Sequence, residues 1–244
     1  MNDFLFILAI AFFSGLLTYL GAPLAEWLTV SQRVVSGVLQ LAAGIIVGLV
    51  ALTLMPPAVQ SGPPRWVVLA FFVGGAGFVL FEYLSAQRLA ANPRAGSNVT
   101  SLGLYVGILV DLVVDGMVIG IGATQARETG VLLALGLGFE GALLAFVSTA
   151  TAKQQGMSKA GRRRLSLLYF LTVVGGIILG YLLLRNQSQE LQLVLIALVS
   201  GFLITTVTQS MIPAANREGE PSFAGIFFVG GLSLYALLKL AVAY

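Results

Sequence analysis

Three acidic residues stand in the middle of apolar segments, where no water is at hand to solvate an ionised side chain. Asp111 and Asp115 lie within the apolar segment 102–123, and Glu140 lies within the next one, 130–151. Neither segment contains a Lys, Arg or His that could neutralise them. An ionised carboxylate at the centre of a bilayer costs roughly 2.5–3.5 kcal/mol even on insertion-based scales. A cation or protons must compensate these charges, so the cluster is the first candidate for a functional site.

The spacing of the acids suits one shared ligand. Asp111 and Asp115 are one helical turn apart and therefore lie on the same helix face. If Glu140 faces them across the contact between the two segments, three acidic oxygen donors converge. Oxygen-only sites suit hard ions such as Mn²⁺, Mg²⁺ or Ca²⁺, whereas zinc sites usually include His or Cys, and this chain has neither. The alternative interpretation is a structural set of buried, protonated hydrogen-bonding groups.

The composition indicates a membrane protein rather than a soluble domain. The chain has 244 residues, of which 58% are hydrophobic and 9% charged. Eight apolar runs are each long enough to cross about 30 Å of hydrocarbon as a helix. They span residues 4–20, 35–55, 66–86, 102–123, 130–151, 165–184, 191–212 and 222–243. We predict an all-α polytopic membrane protein in which residues 1–244 form a single transmembrane domain. The first run is expected to be a retained helix rather than a signal peptide.

The distribution of positive charge predicts the orientation. With eight spans the two termini share a side, and most of the 13 Lys and Arg residues fall in loops on the opposite side. The loop 153–164 contributes the largest share of this bias. The positive-inside rule then places both termini outside the cytoplasm, with the protein integral to the membrane. This loop is interpreted as a topology determinant, and a docking or lipid-binding patch is the alternative.

The chain contains an internal repeat. The pentapeptide FFVGG occurs at 71–75 and again at 227–231, and the pattern MxPA at 55–58 recurs at 211–214, in both cases 156 residues later. The copies are five helices apart, so they must cross the membrane in opposite directions, as in the inverted repeats of many secondary transporters. The resulting arrangement is 3+2+3. Helices 1–3 (about 4–86) and helices 6–8 (about 165–243) flank a central pair, helices 4 and 5 (about 102–151), which carries the acids.

Further polar residues could complete a site or line a pathway. Helix 7 contains the hydroxyl and amide side chains of Thr205, Thr206, Thr208, Gln209 and Ser210, and Thr53 occupies the corresponding region of helix 2. Glu82, near the end of helix 3, could serve an exit path. The alternative is that the hydroxyls bond their own helix backbone and that Glu82 is an interfacial charge. Pro57 and Pro213 are expected to end helices 2 and 7.

These residues together resemble the ZIP (Zrt/Irt-like) metal transporter family. The segment DLVVDGMVIG at 111–120 looks like the family's helix 4 motif, His-Asn-x-x-Asp/Glu-Gly, and FEGALLA at 139–145 looks like its helix 5 motif, Pro-Glu-Gly-Leu-Ala. The segments 44–58 and 201–215 are similar to the family's helices 2 and 7. The resemblance spans nearly the whole chain in matching order. It is nearest to the compact bacterial GufA-like branch, of which this chain would be a divergent, histidine-free member. This resemblance implies a prokaryotic plasma (inner) membrane as the location of the protein.

The resemblance implies a fold and a cargo. It implies eight helices in the 3+2+3 arrangement, extracytoplasmic termini, and divalent metal moving through a midplane site on helices 4 and 5. Carried over by position, Asp111 replaces the first histidine of the helix 4 motif, while Asp115 and Glu140 match the family's acids. Gly136 stands at the helix 5 His or Gln position, and Gln209 and Ser210 stand where the family has acids in helix 7. These departures disfavour a two-metal site and a preference for zinc.

The leading hypothesis is a secondary, non-ATP transporter of divalent metal ions. Its substrate would be Mn, Fe, Zn, Cd, Co or Mg, and the identity stays open. The alternatives are a protein with a lost metal site that moves protons or another cation, and a non-transporting membrane protein. We predict no enzyme activity and no catalytic cofactor: phosphate-loop motifs are absent, and an aspartyl protease needs two carboxylates sharing a proton across a cleft. The expected partners are the lipid bilayer and the metal substrate, with no nucleic acid. Small-residue faces such as Gly74-Gly75 and Gly230-Gly231 permit a homodimer.

Overall fold

The structure, a computed structural model, describes residues 2–28, 31–90, 99–216 and 224–243. Within these ranges every regular element is helical, and eight helices are long and apolar enough to cross a membrane. The prediction of an all-α chain with eight spans is therefore confirmed, and these helices fit an integral membrane protein. We number them α1 (Asn2–Trp27), α2 (Gln32–Ser61), α3 (Pro64–Ala90), α4 (Val99–Gln125), α5 (Arg127–Gln154), α6 (Lys159–Leu184), α7 (Gln189–Ala215) and α8 (Ala224–Ala243).

Most helices extend beyond the apolar runs that predicted them. The run at 4–20 becomes a helix that continues through Pro23 to Trp27, and α6 begins at Lys159 rather than at 165. The Ser158 side chain caps α6 by accepting a hydrogen bond from the Gly161 amide at 3.2 Å. An apolar run marks only the part of a helix that hydrocarbon can cover, and the polar ends keep their backbone bonds within the helix. The predicted start of the last span, residue 222, lies outside the described residues.

Helices α2 and α7 each contain one π-helical turn. The turns span Val50–Leu54 and Val207–Met211, and α-helix resumes over Met55–Ser61 and Ile212–Ala215. The expectation that Pro57 and Pro213 end these helices is therefore wrong. Proline has no amide hydrogen to donate, and the turn before each proline widens to bonds between residues five apart. The Met55 amide donates to the Val50 carbonyl in this way, as the Ile212 amide does to that of Val207.

The helices associate in two groups. In the first, α1 packs mainly on α5 and α4 packs mainly on α6, while contacts of α1 with α6 and of α4 with α5 join the two pairs. In the second, α2 packs mainly on α8 and α3 packs mainly on α7, and α2 and α7 meet around their π-helical turns. We call these the acid group, because it contains the two helices with intramembrane acids, and the outer group.

Small residues let α4 and α6 touch backbone to backbone. A Cβ atom built on Gly116 would lie 2.7 Å from the Val173 carbonyl oxygen, and one built on Gly176 would lie 2.7 Å from that of Val113. Gly120 and Gly180 repeat the contact one turn further along, which makes a small-xxx-small packing motif on both helices. Gly116 directly follows Asp115, so this contact fixes the rotation of α4 about its own axis.

Helix α5 is held in the same manner by α1. A Cβ atom on Gly141, which follows Glu140, would lie 2.6 Å from the Thr18 hydroxyl oxygen, and one on Gly21 would collide with the Ala142 carbonyl. Both acid-glycine pairs therefore use the glycine for helix packing. Each acid-bearing helix is fixed from behind by a neighbour of the same group.

Two basic residues of the predicted loop 153–164, Lys153 at the end of α5 and Arg162 in the first turn of α6, cap the end of α1. The Lys153 ammonium donates to the carbonyls of Glu26 at 3.0 Å and Leu28 at 3.4 Å, and it also reaches that of Ala25. Arg162 pairs with the Glu26 carboxylate, with 2.9 Å between Nη2 and Oε2. Cations are favourable at a helix C-terminus, where carbonyl groups lack helical donors. Part of the positive charge in this loop therefore stabilises the fold.

We predict that Gly176→Ala lowers the unfolding temperature of the purified protein by several degrees, while Gly175→Ala does not. A Cβ atom at position 176 meets the α4 backbone, and overpacking of this kind costs about 1–3 kcal/mol. Gly175 is exposed, and a Cβ atom there meets nothing within 4 Å. Both substitutions change helix propensity equally, so thermal unfolding in detergent isolates the packing contact. Equal unfolding temperatures for the two variants would contradict it.

Candidate metal centre

A very short connection sets the depth of the acids. Helix α4 ends at Gln125 and α5 begins at Arg127, so Ala126, with an extended backbone (φ −153°, ψ 144°), is the single residue between them. Asp115 is 11 residues before Ala126, and Glu140 is 14 residues after it. At about 1.5 Å per residue, these two acids lie about 17 and 21 Å from the turn. They therefore face each other at similar depth inside the hairpin.

The structure brings the three predicted acids together. Their side chains are buried, with exposed fractions of 6% for Asp111, 1% for Asp115 and 0% for Glu140. One carboxylate oxygen from each lies within 4.8 Å of the others. We call these residues the acid triad. The juxtaposition is an observation, whereas metal binding at the triad stays a prediction.

The triad oxygens have no donors around them. One oxygen of Asp111 and both oxygens of Asp115 and Glu140 are buried, and none of these five accepts a hydrogen bond from the described residues. Buried polar atoms nearly always have a partner in folded proteins. No side chain outside the triad therefore satisfies these oxygens. The arrangement suits positive charge supplied from within the triad, as a bound cation or, in the alternative interpretation, as protons shared between the carboxyl groups.

The separation of the oxygens is compatible with one divalent ion. Two ligand atoms on the same ion lie at most twice the metal–oxygen distance apart, which is about 4.0–5.2 Å for the hard cations. The observed limit of 4.8 Å falls in this range. The described residues offer no other group of three or more acidic, His or Cys ligands. The three carboxylates of the triad can therefore bind one ion through their oxygens.

One turn from Glu140, side chains of the outer group pack against Gly136 of α5. A Cβ atom on Gly136 would lie 2.5 Å from Cε2 of Tyr235 and 3.1 Å from Cδ1 of Leu49. Tyr235 is fully buried, and its hydroxyl donates to Oγ1 of Thr53 at 2.8 Å. Position 136, where the family resemblance implies His or Gln, therefore has no space for a side chain. The Thr53 oxygen, a candidate ligand from the sequence, already accepts a hydrogen bond from Tyr235.

The threonine hydroxyls of the polar stretch of α7 donate to the backbone of their own helix. Thr205 donates to the Gly201 carbonyl at 2.9 Å, and Thr208 donates to that of Ile204 at 3.1 Å. The hydroxyls thus bond their own helix, as the alternative interpretation held. Ser210 donates to Glu82 at 3.4 Å, away from the triad. The remaining candidate of this stretch, Gln209, is exposed. A pathway role for any of these residues stays a prediction.

Two buried tyrosines near the centre were not identified from the sequence. Tyr235 on α8 is one, and Tyr169 on α6 is the other, with its hydroxyl 2.6 Å from that of Ser148 on α5. A tyrosine in an apolar helix needs a hydrogen-bond partner when its hydroxyl is buried. That requirement was the available signal, but it does not say which neighbouring helix supplies the partner.

A scan against protein-family models gives no match to this chain, and a search of curated proteins gives none either. The geometry of the acid triad therefore carries the functional argument.

We predict that Glu140→Gln raises the unfolding temperature of metal-free protein at pH 8. The substitution removes any charge that Glu140 carries without a partner outside the triad, and replacing buried charged groups by neutral ones of similar size can stabilise a protein by about 1–4 kcal/mol. The increase should be smaller at pH 5, because a carboxylate can take up a proton at the lower pH whereas the amide cannot. Thermal unfolding in the presence of a chelator measures both values, with Glu190→Gln, at an exposed site on α7, as the control. A lower unfolding temperature at both pH values would instead identify Glu140 as a structural hydrogen-bonding group.

Proposed function

We propose that this chain is a secondary transporter of divalent metal cations, which pass through the acid triad on α4 and α5. The observation that supports the proposal most directly is the set of five buried carboxylate oxygens without donors, on three side chains within 4.8 Å of one another. A divalent ion would neutralise most of this charge. Metal would displace any protons from the carboxylates on binding, so its affinity should fall as the pH falls.

The chemistry of the donors favours hard cations. Carboxylate oxygens suit Mn²⁺, Mg²⁺ and similar ions better than ions that prefer imidazole or thiolate ligands. The chain has no His and no Cys, and Gly136 leaves no space for another ligand beside Glu140. One metal per site is therefore part of the proposal. The metal is the cargo, and neither an enzyme activity nor a resident catalytic cofactor is proposed.

The helix packing supports the 3+2+3 inverted repeat as part of this proposal. The inverted repeat relates helices 1, 2 and 3 to helices 6, 7 and 8, and helix 4 to helix 5. Under this relation the α1–α5 pair corresponds to the α6–α4 pair, and the α2–α8 pair corresponds to the α7–α3 pair. These are the four most extensive helix contacts among the described residues. The π-helical turns at Val50–Leu54 and Val207–Met211 lie 157 residues apart, close to the repeat of 156. Repeats of this kind place substrate near the membrane midplane.

Transport requires the buried triad to become accessible from each side in turn. The triad belongs to the acid group, whereas the side chains that close it one turn from Glu140 belong to the outer group. Movement of one group against the other would uncover the acids without breaking the glycine contacts inside each group. We place the protein in a prokaryotic plasma membrane as part of this proposal. The positive-inside rule favours extracytoplasmic termini.

Metal flux into proteoliposomes tests the proposal. We expect saturable uptake of one or more of Mn²⁺, Fe²⁺, Zn²⁺, Cd²⁺, Co²⁺ and Mg²⁺ by the wild type. Asp115→Asn should reduce the rate at least tenfold, because it removes a central ligand charge. The control Glu190→Gln changes an exposed carboxylate of α7 and should transport like the wild type.

The other outcomes distinguish the competing hypotheses. Proton flux that persists without metal and is lost in Asp115→Asn would favour a proton or monovalent cation carrier. No flux of either kind, together with no metal-dependent rise in unfolding temperature of folded, inserted protein, would indicate a non-transporting membrane protein. Metal-dependent stabilisation without flux would retain the binding site and reject transport.

A further inference from the structure

We propose that the Tyr235 side chain is the barrier between the acid triad and the end of the bundle at the α4–α5 connection. We call that end, at Gln125–Arg127, the hairpin end. The inference rests on the proposed function, because it names the residue that controls access to the same site. It concerns a residue of the outer group, on α8, that contributes no ligand to the triad.

The position of the ring follows from its contact with Gly136. Gly136 lies four residues before Glu140 on α5, so it occupies the same helix face one turn nearer the hairpin end. A Cβ atom built there would lie 2.5 and 2.9 Å from two carbons of the Tyr235 ring, and 3.1 Å from Leu49. The ring and the Leu49 side chain therefore fill the space directly beyond Glu140 with apolar atoms. An ion approaching Glu140 along this face from the hairpin end meets them first.

The ring is held in place by the π-helical turn of α2. Its hydroxyl donates to the Thr53 hydroxyl oxygen at 2.8 Å, and both residues are buried. One turn further along α8, the Lys239 ammonium donates to the Leu52 carbonyl in the same turn. That carbonyl needs an outside donor because the residues four and five positions later are both proline and carry no amide hydrogen. Helix α8 is thus attached to α2 at two adjacent points.

The arrangement makes Tyr235 removable without disturbing the triad. Its contacts join α8 to α2, both in the outer group, while Gly136 and Glu140 belong to the acid group. A shift between the two groups would withdraw the ring from Gly136 and leave the acids together. Glycine at position 136 is required for the closed state, because any side chain there would displace the ring.

Single-cysteine accessibility tests the barrier without using metal. The chain contains no cysteine, so Asp115→Cys reports access to the triad alone. A cationic, membrane-impermeant methanethiosulfonate is applied to proteoliposomes from the side of the hairpin end. A second protein, Glu128→Cys, identifies that side, because Glu128 is exposed beside the α4–α5 connection. We expect slow labelling of Asp115→Cys, and a rate at least tenfold higher when Tyr235→Ala is added.

Three further variants serve as controls for Tyr235→Ala. Tyr169→Phe removes the hydroxyl of another fully buried tyrosine, bonded to Ser148, and should leave the labelling rate within twofold. Tyr235→Phe and Thr53→Val keep the ring but remove its hydrogen bond, and each should raise the rate about threefold. These two variants decide the matter if Tyr235→Ala does not fold.

The inference is overturned if labelling is unchanged in folded Tyr235→Ala, or in both Tyr235→Phe and Thr53→Val. It is also overturned if Asp115→Cys is labelled as fast as Glu128→Cys while Tyr235 is intact. Because no metal enters this experiment, a failure of metal flux leaves its outcome unaffected, and the two proposals can be rejected separately.

Discussion

The burial of three carboxyl groups against one another is the constraint on which the rest of the structure depends. When ionised, two such groups 4.8 Å apart repel each other by about 3–4 kcal/mol at an effective dielectric constant of 20, and one oxygen of each acid lies within that distance of the others. Glycine contacts hold the two acid-bearing helices in place: Gly116 packs α4 against α6, and Gly141 packs α5 against α1. The acids therefore stay opposed, and protons or a cation must compensate their charge.

The same logic explains why each acid is followed by glycine. The residue next to a buried acid points to a different side of the helix, so a small residue there allows a close neighbour on the side away from the charge. Asp115 and Gly116 divide α4 in this way, as Glu140 and Gly141 divide α5. The packing contacts that stabilise the acid group thus lie on the glycine-bearing faces of α4 and α5. The faces that hold the triad can therefore remain polar and unpaired.

Much of this architecture could be predicted from the sequence because it depends on local signals. Apolar runs identified the eight helices, since hydrocarbon thickness fixes the length of a span. The four-residue spacing of Asp111 and Asp115 indicated a shared face, and the adjacent span carried Glu140. Helix ends were less predictable, because a polar terminal turn remains helical outside the hydrocarbon. The effect of Pro57 and Pro213 was misjudged, because a π-helical turn lets the chain pass a proline without ending the helix.

The contact that the sequence could not reveal determines which side chains fit beside Glu140. Tyr235 and Gly136 are 99 positions apart in the chain, and no periodicity pairs them, because α8 is apolar on nearly every face. In the structure each constrains the other: the ring fills the space that a side chain at position 136 would need. A longer side chain at position 136 and the tyrosine ring at 235 therefore exclude one another in this arrangement. The ring fills the space one turn from Glu140 with apolar atoms, so the carboxylate oxygens of the triad are the ligand atoms that the described residues bring together here.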